Sequence, residues 1–518
     1  MNPEERQAAV DGAQLQTLRD HLRRRPDDGA AWLALARQLI RTPAPEASAD
    51  ELHHALEQAI KSTPEALDAW LLAAGVHQRQ RGPAAALQWL QYTARQNPQL
   101  AAPRVALASL RADACRQAGQ WSEALAGYRE VEKFRPGDPA LLNNIGTCLA
   151  SLERFTEAAE RFEKALRLRA DFPEARLNLA FLNACQGRTR DATSSIDEIL
   201  QDARLEPATR QAATTLRDIL GEHQRLAPFL ADALQTGEVA ALQRALADAP
   251  PRLSRPHEPS LARLRLLAER CRDLTFSAED FRYGADTASL PLVEACMQAN
   301  LEGGAEALAE VTVLLRAEPE PASATSPAMS KSPAMAKCLG QVLHFMEIGR
   351  DRQGRDPGVL QGPAGEAWLR YWHARLLRDA PDKQPGQYKV AANAIRGLPL
   401  TPAENVPGTV RALLSELLPL VPAGLPRGMF LYIAVNMVHG FADGNGRLSR
   451  FLLAWETESA GLPPIVIPTT VRTQVARALD VAWLEGELNP FFQALKLAVT
   501  ATDRLLRQLT ERATVESS

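Results

Sequence analysis

The chain contains, at residues 439–450, the stretch HGFADGNGRLSR, which stands between two apolar segments. The segment before it, at residues 431–438, reads LYIAVNMV. The second segment overlaps the end of the stretch and, at residues 448–455, reads LSRFLLAW. Both segments have the apolar content of a buried helix, whereas the glycines and the asparagine of DGNG tolerate the left-handed backbone that ends a helix. The sequence therefore predicts two helices joined by a tight turn, with Gly444 to Arg447 at the N-terminus of the second helix.

The residue types in this turn are suited to phosphate chemistry. Backbone N–H groups at a helix N-terminus bind anions, and Arg447 and Arg450 are three residues apart, so their guanidinium groups can share one helical face. Asp443 offers a hard oxygen ligand of the kind that Mg²⁺ prefers beside phosphates. His439 titrates near neutral pH and can accept a hydroxyl proton. Each feature alone is usually structural, but their combination within one turn favours a functional site.

The stretch resembles the signature of the Fic family, HxFx(D/E)GNGRxxR, and matches it at His439, Phe441, Asp443, Gly444, Asn445, Gly446, Arg447 and Arg450. The resemblance implies a protein adenylyltransferase (AMPylase) that transfers AMP from ATP to a Ser, Thr or Tyr hydroxyl of a protein target. It assigns the base to His439 and the Mg²⁺ ligand to Asp443. It assigns the ATP phosphates to Gly444, Asn445 with its side chain, Gly446, Arg447 and Arg450. One departure is Gly440, which replaces the usual proline and loosens the backbone beside the base.

The resemblance extends from about residue 364 to residue 498. The stretch PGQYK at residues 385–389 is similar to the segment that leads into the family's flap, with Lys389 where arginine is commoner. The resemblance implies that residues 390–398 form a short hairpin flap. A target segment would be aligned along it by strand addition, with Tyr388, Lys389 and Val390 as the aligning residues.

A second short stretch, QANLEGG at residues 298–304, resembles the family's inhibitory motif, (S/T)xxxE(G/N). Glu302 and Gly303 fit the pattern, whereas Gln298 stands where Ser or Thr is expected. The resemblance implies that Glu302 pairs with Arg450 and so withholds this cation from the γ-phosphate of ATP. The alternative is an ordinary glutamate before a Gly-Gly helix stop.

The N-terminal part repeats with a period of 34 residues. The recurring positions include the sets Ala124, Ala158, Ala192 and Tyr128, Phe162, Ile196. The period resembles that of tetratricopeptide repeats, and about five units are predicted. Each unit is a helical hairpin that must stack on its neighbours to bury its apolar face, and the resulting groove commonly binds a peptide or a protein. A spacer role stays open as the alternative.

These features predict an all-α protein, in which a tetratricopeptide solenoid is followed by a helical Fic domain with a small β-hairpin flap. The predicted segments are an N-terminal helical segment at 1–28, the repeats at 29–203, a helical connector at 204–288, the Fic domain with its candidate inhibitory helix at 289–505, and a tail at 506–518.

Composition excludes several other classes of function. The net charge of −3 over 518 residues, without a basic cluster interleaved with aromatics, predicts no nucleic-acid partner. No apolar run is long enough to span a membrane, and the first residues lack the apolar core of a secretory signal. The six cysteines are scattered without CxxC spacing, which is typical of free thiols in a reducing compartment. We therefore expect a cytoplasmic location, with export by a non-classical secretion system left open.

The sequence leaves three alternatives to protein adenylylation. Some Fic relatives transfer another phosphate-linked group, such as UMP or phosphocholine. With Glu302 engaged, the enzyme would mainly remove AMP. The third alternative is a non-enzymatic tetratricopeptide adaptor with a vestigial Fic domain, against which the intact His439, Asp443 and Arg450 argue.

Overall fold

The protein is helical almost throughout and divides into two compact units, Met1–Leu182 and Asn183–Ser518. The computed structural model describes residues 3–42, 49–299, 311, 333–391, 394–395 and 398–516. The predicted all-α class is confirmed. Among the described residues, no helix combines the length and the apolar character needed to cross a bilayer.

The first unit is a row of helix pairs. Its helices are α1 (Pro3–Arg24), α2 (Gly29–Arg41), α3 (Ala49–Ser62), α4 (Leu67–Arg81), α5 (Pro83–Gln96), α6 (Ala102–Gln117), α7 (Trp121–Glu132), α8 (Pro139–Ser151), α9 (Phe155–Leu168) and α10 (Pro173–Cys185). From α2 onward, consecutive helices pack as pairs, and each pair up to α8–α9 packs on the next. This is the stacked helical hairpin that the 34-residue period predicts.

The repeat positions mark the contacts that hold each pair together. Ala158 and Phe162 on α9 are both buried. A β-carbon on Gly146 of α8 would lie 2.6 Å from the ring of Phe162, so only a glycine lets α8 and α9 approach this closely. The equivalent Ala124 and Tyr128 on α7 are buried in the same way. The period of the sequence is therefore a period of core contacts.

The second unit contains α11 (Thr189–Leu200), which lies in the range predicted for the repeats. Three helices follow in the range predicted for the connector: α12 (Pro207–Thr236), α13 (Ala240–Ala247) and α14 (Glu258–Arg272). Leu226, Leu242 and Leu264 of α12 to α14 are buried in the core that this whole unit shares. The compact units divide inside α10, whereas the repeats were predicted to continue to residue 203. The reason is that α12 to α14 bury their apolar faces against the C-terminal helices.

The remaining helices surround one buried helix. They are α15 (Leu290–Gln298), α16 (Pro333–Gln353), α17 (Gly365–Leu376), α18 (Val406–Ala412), α19 (Leu425–Val438), α20 (Asn445–Ser459), α21 (Arg472–Glu485) and α22 (Asn489–Glu516). Every residue of α19 except Asn436 is buried. It packs against α14, α18, α20 and α21, so the loop that follows α19 is anchored to the centre of the unit.

The strands of the described residues are short. β1 (Ala394–Ile395) and β2 (Leu398–Pro399) pair antiparallel, with Ala394 opposite Pro399 and Ile395 opposite Leu398. This pair overlaps the range 390–398 expected for the flap and ends one residue beyond it, and its role in target alignment stays a prediction. Upstream, Tyr388 forms a single antiparallel bridge with Phe441.

Candidate active site

The motif loop connects the buried end of α19 to the start of α20. The N–H of His439 donates to the carbonyl of Val435 at 2.9 Å and ends α19. His439 itself is left-handed, with φ 47° and ψ 54°, and Gly444 is left-handed with φ 80°. The left-handed conformation is energetically unfavourable for a non-glycine residue, and such strain is concentrated at functional sites. The predicted arrangement of two helices joined by a tight turn is present.

Asn445 closes the loop with its side chain. Its Oδ1 accepts from the N–H of Phe441 at 3.1 Å, and its Nδ2 donates to the carbonyl of Phe441 at 2.8 Å. The side chain is buried. These two bonds fix the side chain against the loop backbone and use one of the two Nδ2 hydrogens. A contact between this side chain and the α-phosphate stays a prediction.

The start of α20 is the place where the loop can bind an anion. Leu448 donates to the carbonyl of Gly444 at 2.9 Å, so the amides of Asn445, Gly446 and Arg447 form the first turn, where no preceding helical carbonyl is available. Such amides and the helix dipole attract phosphate. The amide of Gly444 donates instead to Oδ1 of Asp443 at 2.6 Å.

Asp443 is exposed beside these amides. The described residues contain no group of three or more metal-binding side chains. Mg²⁺ commonly binds nucleotides through one or two carboxylates, phosphate oxygens and water. A single exposed carboxylate next to a phosphate-binding turn fits that mode.

Arg450 is half-buried, and its Nε is buried without a hydrogen-bond partner among the described residues. Burial lowers the pKa of its guanidinium to about 10, and the nearby charges of Arg472 and Arg447 act in the same direction. The group is nevertheless cationic at neutral pH. A partly desolvated cation with an unpaired, buried donor favours an anion as its partner.

Arg450 lines a cavity of about 220 Å³ next to the motif. The other lining residues are Tyr432, Asn436, Ile467, Arg472, Ala476, Leu479, Asp480 and Trp483. Nη2 of Arg472 donates to the carbonyl of Met297, the penultimate residue of α15, at 2.6 Å. The sequence analysis missed Arg472, because it lies outside the motif and only the packing of α21 brings it to the site.

His439 is half-buried, and burial lowers the pKa of its imidazole to about 4. The positive charge of Lys389 lowers this pKa further, while the backbone of Asn436 and the carboxylate of Asp443 oppose the shift. The contact with Asn436 falls short of a hydrogen bond, because Nδ1 of His439 has no partner among the described residues. The imidazole is therefore neutral at pH 7 and can accept a proton.

The predicted aligning residues lie against the motif loop. The N–H of Lys389 donates to the carbonyl of Gly440 at 2.8 Å, beside the bridge between Tyr388 and Phe441. Cζ of Arg370 lies 3.7 Å from the centroid of the Tyr388 ring. Lys389 and Val390 are buried, and burial lowers the pKa of Lys389 to about 7. The structure thus brings this segment and the motif together.

The candidate inhibitory residue, Glu302, lies outside the described residues. Gln298, the last residue of α15, is buried, and its Oε1 has no partner among the described residues. The pairing of Glu302 with Arg450 stays a prediction.

The Fic/DOC family model matches residues 363–456, which include α17, α19 and the whole motif loop. These residues form a Fic/DOC domain. The chain is 30% identical to the protein adenylyltransferase fic-1 of Caenorhabditis elegans over 123 residues, which are 23% of this chain and 24% of that protein. It is 38% identical to the protein adenylyltransferase Fic of Drosophila mojavensis over 80 residues, or 14% of this chain and 16% of that protein. The chain thus spans about a quarter or less of these relatives.

Two solved structures are similar to this chain with low TM-scores. A fragment of Fic-1 from C. elegans is 17% identical, with a TM-score of 0.30 over 78% of this chain and 99% of that one. The tetratricopeptide protein TTC0263 of Thermus thermophilus is 22% identical, with a TM-score of 0.28 over 36% of this chain and 97% of that one.

Proposed function

We propose that the protein is a protein adenylyltransferase that transfers AMP from ATP to a Ser, Thr or Tyr hydroxyl of a protein target. One observation carries the proposal: a neutral imidazole, a helix N-terminus and a half-buried guanidinium with an unpartnered Nε come together at the motif of a Fic domain. The similar relatives from Caenorhabditis and Drosophila are named protein adenylyltransferases.

The reaction follows from the chemistry of these groups. ATP is the substrate, and its α-phosphate lies at the amides of Asn445 and Gly446, while Arg447 and Arg450 neutralise the β- and γ-phosphates. His439 accepts the proton of the target hydroxyl. The hydroxyl oxygen forms a bond to the α-phosphorus, the bond from this phosphorus to the bridging oxygen breaks, and pyrophosphate leaves. Asp443 would hold Mg²⁺, which would supply further neutralisation of the phosphates.

The nucleoside occupies the 220 Å³ cavity in this proposal. Tyr432 and Trp483 offer aromatic surface for a base, and Asn436 and Asp480 offer polar groups for its edge. These residues do not by themselves exclude UTP or a phosphocholine donor. Competition of ATP labelling by a panel of unlabelled donors distinguishes these alternatives.

The target segment pairs as an added strand with the backbone of Tyr388, Lys389 and Val390. The contacts between these residues and the loop that carries His439 support this placement. The helical repeats of the first unit bind a peptide or protein, since stacked hairpins offer an extended surface. Inhibition by Glu302 and a cytoplasmic location belong to the same proposal. The two alternatives differ in a measurable way. A de-AMPylating enzyme releases AMP from a modified protein, whereas an adaptor neither transfers nor releases AMP.

The test is incubation with labelled ATP and Mg²⁺, followed by measurement of self-labelling. His439→Ala is expected to lower the rate by about 10²- to 10⁴-fold while ATP binding changes little, because the proton acceptor is lost and the phosphate-binding groups remain. His54→Ala is the matched control, since His54 is exposed in the first unit. Equal labelling by the His439→Ala variant and the wild type would rule out the proposed mechanism.

A further inference from the structure

His373 on α17 is fully buried and contacts both parts of the candidate site. Its Nδ1 accepts from the N–H of Gly386 at 2.9 Å, and Gly386 begins the segment that continues to Lys389. Its Nε2 lies 2.9 Å from the carbonyl oxygen of Asp443 in the motif loop. Its ring stacks on the ring of Phe441, with centroids 3.6 Å apart and planes 9° apart.

These contacts fix the tautomer of His373. A backbone N–H donates to Nδ1, so Nδ1 carries no proton, and the proton must be on Nε2, where it faces a carbonyl acceptor. Because Nδ1 carries no proton, the ring is neutral. Both ring nitrogens are therefore used by backbone groups of two segments that are far apart in sequence.

The ring fits tightly against the motif loop. Gly386 and Gly444 are left-handed, with φ of 75° and 80°. A β-carbon on Gly444 would lie 2.9 Å from Nε2 of His373, so the loop reaches the imidazole at a glycine. A β-carbon on Gly386 would lie 2.5 Å from Cδ2 of Leu230 on α12, so a glycine there lets the second turn pack on α12.

We propose that His373, as the neutral Nε2–H tautomer, is the positioning residue that ties the target-aligning segment, residues 386–389, to the motif loop, residues 440–444. The inference rests on the proposed function, because it gives the tie a catalytic purpose. One hydrogen bond holds the carbonyl of Asp443, the other holds the amide of Gly386, and the ring supports Phe441 between them. The hydroxyl presented along residues 388–390 and the phosphates at α20 are then held in one frame, as in-line transfer requires.

Two conservative substitutions separate the two hydrogen bonds. His373→Gln retains an N–H donor near the position of Nε2 but loses the acceptor at the position of Nδ1. His373→Asn retains an acceptor near Nδ1 but is too short to reach Asp443. A side chain that only fills space would respond similarly to both changes, whereas a residue that positions two segments would lose one segment in each variant.

The measurements are amide hydrogen exchange of residues 386–389 and 440–447 in the full chain, and binding of a fluorescent ATP analogue with and without Mg²⁺. His373→Asn is expected to weaken analogue binding about tenfold and to raise exchange in the motif loop, with residues 386–389 protected. His373→Gln is expected to raise exchange at residues 386–389, with analogue binding within about threefold of wild type. The rate of self-labelling should fall in both variants.

His344 provides the matched control, since it is also buried and its Nε2 lies 2.8 Å from the carbonyl of Arg375, away from the motif loop. His344→Gln and His344→Asn should leave both segments unchanged. Identical exchange patterns in the two His373 variants, or no change in either, overturn the proposal. If both variants unfold, ¹⁵N NMR of the wild-type imidazoles decides: an Nδ1–H tautomer or an imidazolium for His373 at pH 7 overturns it, and an Nε2–H tautomer supports it. Absence of labelling by the wild type would reject only the adenylyltransferase function, because exchange and NMR do not depend on catalysis.

Discussion

His439 illustrates how much a single residue depends on its surroundings. Its left-handed backbone, with φ 47°, costs on the order of 1–3 kcal/mol in a non-glycine residue. The adjacent Gly440 accepts a hydrogen bond from Lys389 at 2.8 Å and so fixes the turn from outside. The strained backbone is therefore held in part by the segment that is proposed to align the target. A substitution in that segment should therefore change the pKa of His439, although His439 is still present.

The pH dependence of transfer tests this link. Since the pKa of His439 is lowered to about 4, the labelling rate should be nearly flat from pH 7 to about pH 5 and fall to half near pH 4. Lys389→Met removes a positive charge that lowers this pKa, so the acid limb should move to higher pH. The measurement is the self-labelling rate from pH 4 to 8, with folding followed by circular dichroism.

Lys383→Met is the control for this prediction, because Lys383 is half exposed and pairs with Asp382. It should leave the acid limb in place. A wild-type limb near pH 6.5 would show that burial does not depress the base, and an unmoved limb in Lys389→Met would show that the Lys389 charge does not reach it.

At the residue scale, the sequence predicted the groups that a local motif can specify. His439, Asp443 and the arginines lie in one turn because two helices and two glycines fix its shape. Other contacts of the site could not be predicted, because they depend on the folded arrangement of the chain. The side chain of Asn445 bonds the backbone of Phe441, Arg472 lines the cavity beside Arg450, and His373 contacts two separate segments. His373 lies within the range of the family resemblance, but no spacing rule indicates which residues of its helix face the loop.

At the scale of helices, α19 and α20 are joined by a buried carboxylate as well as by apolar contacts. Oε2 of Glu456 on α20 accepts from the N–H of Gly424, the residue before α19, at 3.1 Å. Nε of Arg427 lies 3.7 Å from Oε1 of Glu456. Burial raises the pKa of Glu456 to about 7, and Arg427 and the Gly424 amide only partly oppose this shift. The carboxyl is therefore half-protonated near neutral pH.

This shift makes the unfolding free energy depend on pH. The folded pKa, about 7, lies above the ordinary value of 4.5, so the folded state holds the proton more strongly than the unfolded chain. The stabilisation is complete below pH 4.5 and is lost as pH rises through about 7, a change of roughly 3–4 kcal/mol. Glu456→Gln removes this dependence, so its stability relative to wild type should improve steadily from pH 5 to pH 7.5 in urea unfolding.

The control for the helix pair is Glu485→Gln, because Glu485 is exposed at the end of α21. Its stability difference from wild type should be the same at every pH. A difference for Glu456→Gln that does not vary with pH would mean that the carboxyl is already ionised in the folded protein.

Element boundaries were predictable where local chemistry marks them. Asp138 caps α8 by accepting from the amides of Ala140 and Leu141, and Pro139 begins that helix. The helix α12 was not predictable in this way, because it runs from Pro207 to Thr236 through Pro228. A proline in a helix interior costs about 3 kcal/mol. Burial of Leu226 and Leu230 in the core of the second unit favours the continuous helix.

The whole molecule has separate hydrophobic cores for its two units. One large cluster extends from Leu226 to Leu509, and the buried clusters of the first unit lie between Leu15 and Leu182. The 34-residue period predicted the first set, because each repeat contributes the same small and large residues. The division inside α10 was not predictable, since α11 continues the repeat pattern, with Ala192 and Ile196 buried. Amphipathic helices on both sides of a boundary look alike in sequence.

Separate cores imply that damage to the first unit should leave the Fic domain working. Phe162 is buried against Gly146, and Phe162→Ala should destabilise the first unit by about 3–5 kcal/mol. Amide exchange should then rise throughout α6 to α9. Binding of the fluorescent ATP analogue and the melting midpoint of the second unit should stay at wild-type values. The reason is that the described residues of the proposed nucleotide site all belong to the second unit.

Phe134→Ala is the matched control, since Phe134 belongs to the same unit but is 52% exposed, and its removal should change stability by less than about 0.5 kcal/mol. A parallel loss of ATP-analogue binding and repeat protection in Phe162→Ala would mean that the two units unfold as one. In that case the repeats would contribute to the stability of the Fic domain in addition to offering a binding surface. Loss of target labelling with retained self-labelling would instead assign the first unit to target recognition, because the chemistry would be intact while the target was no longer delivered.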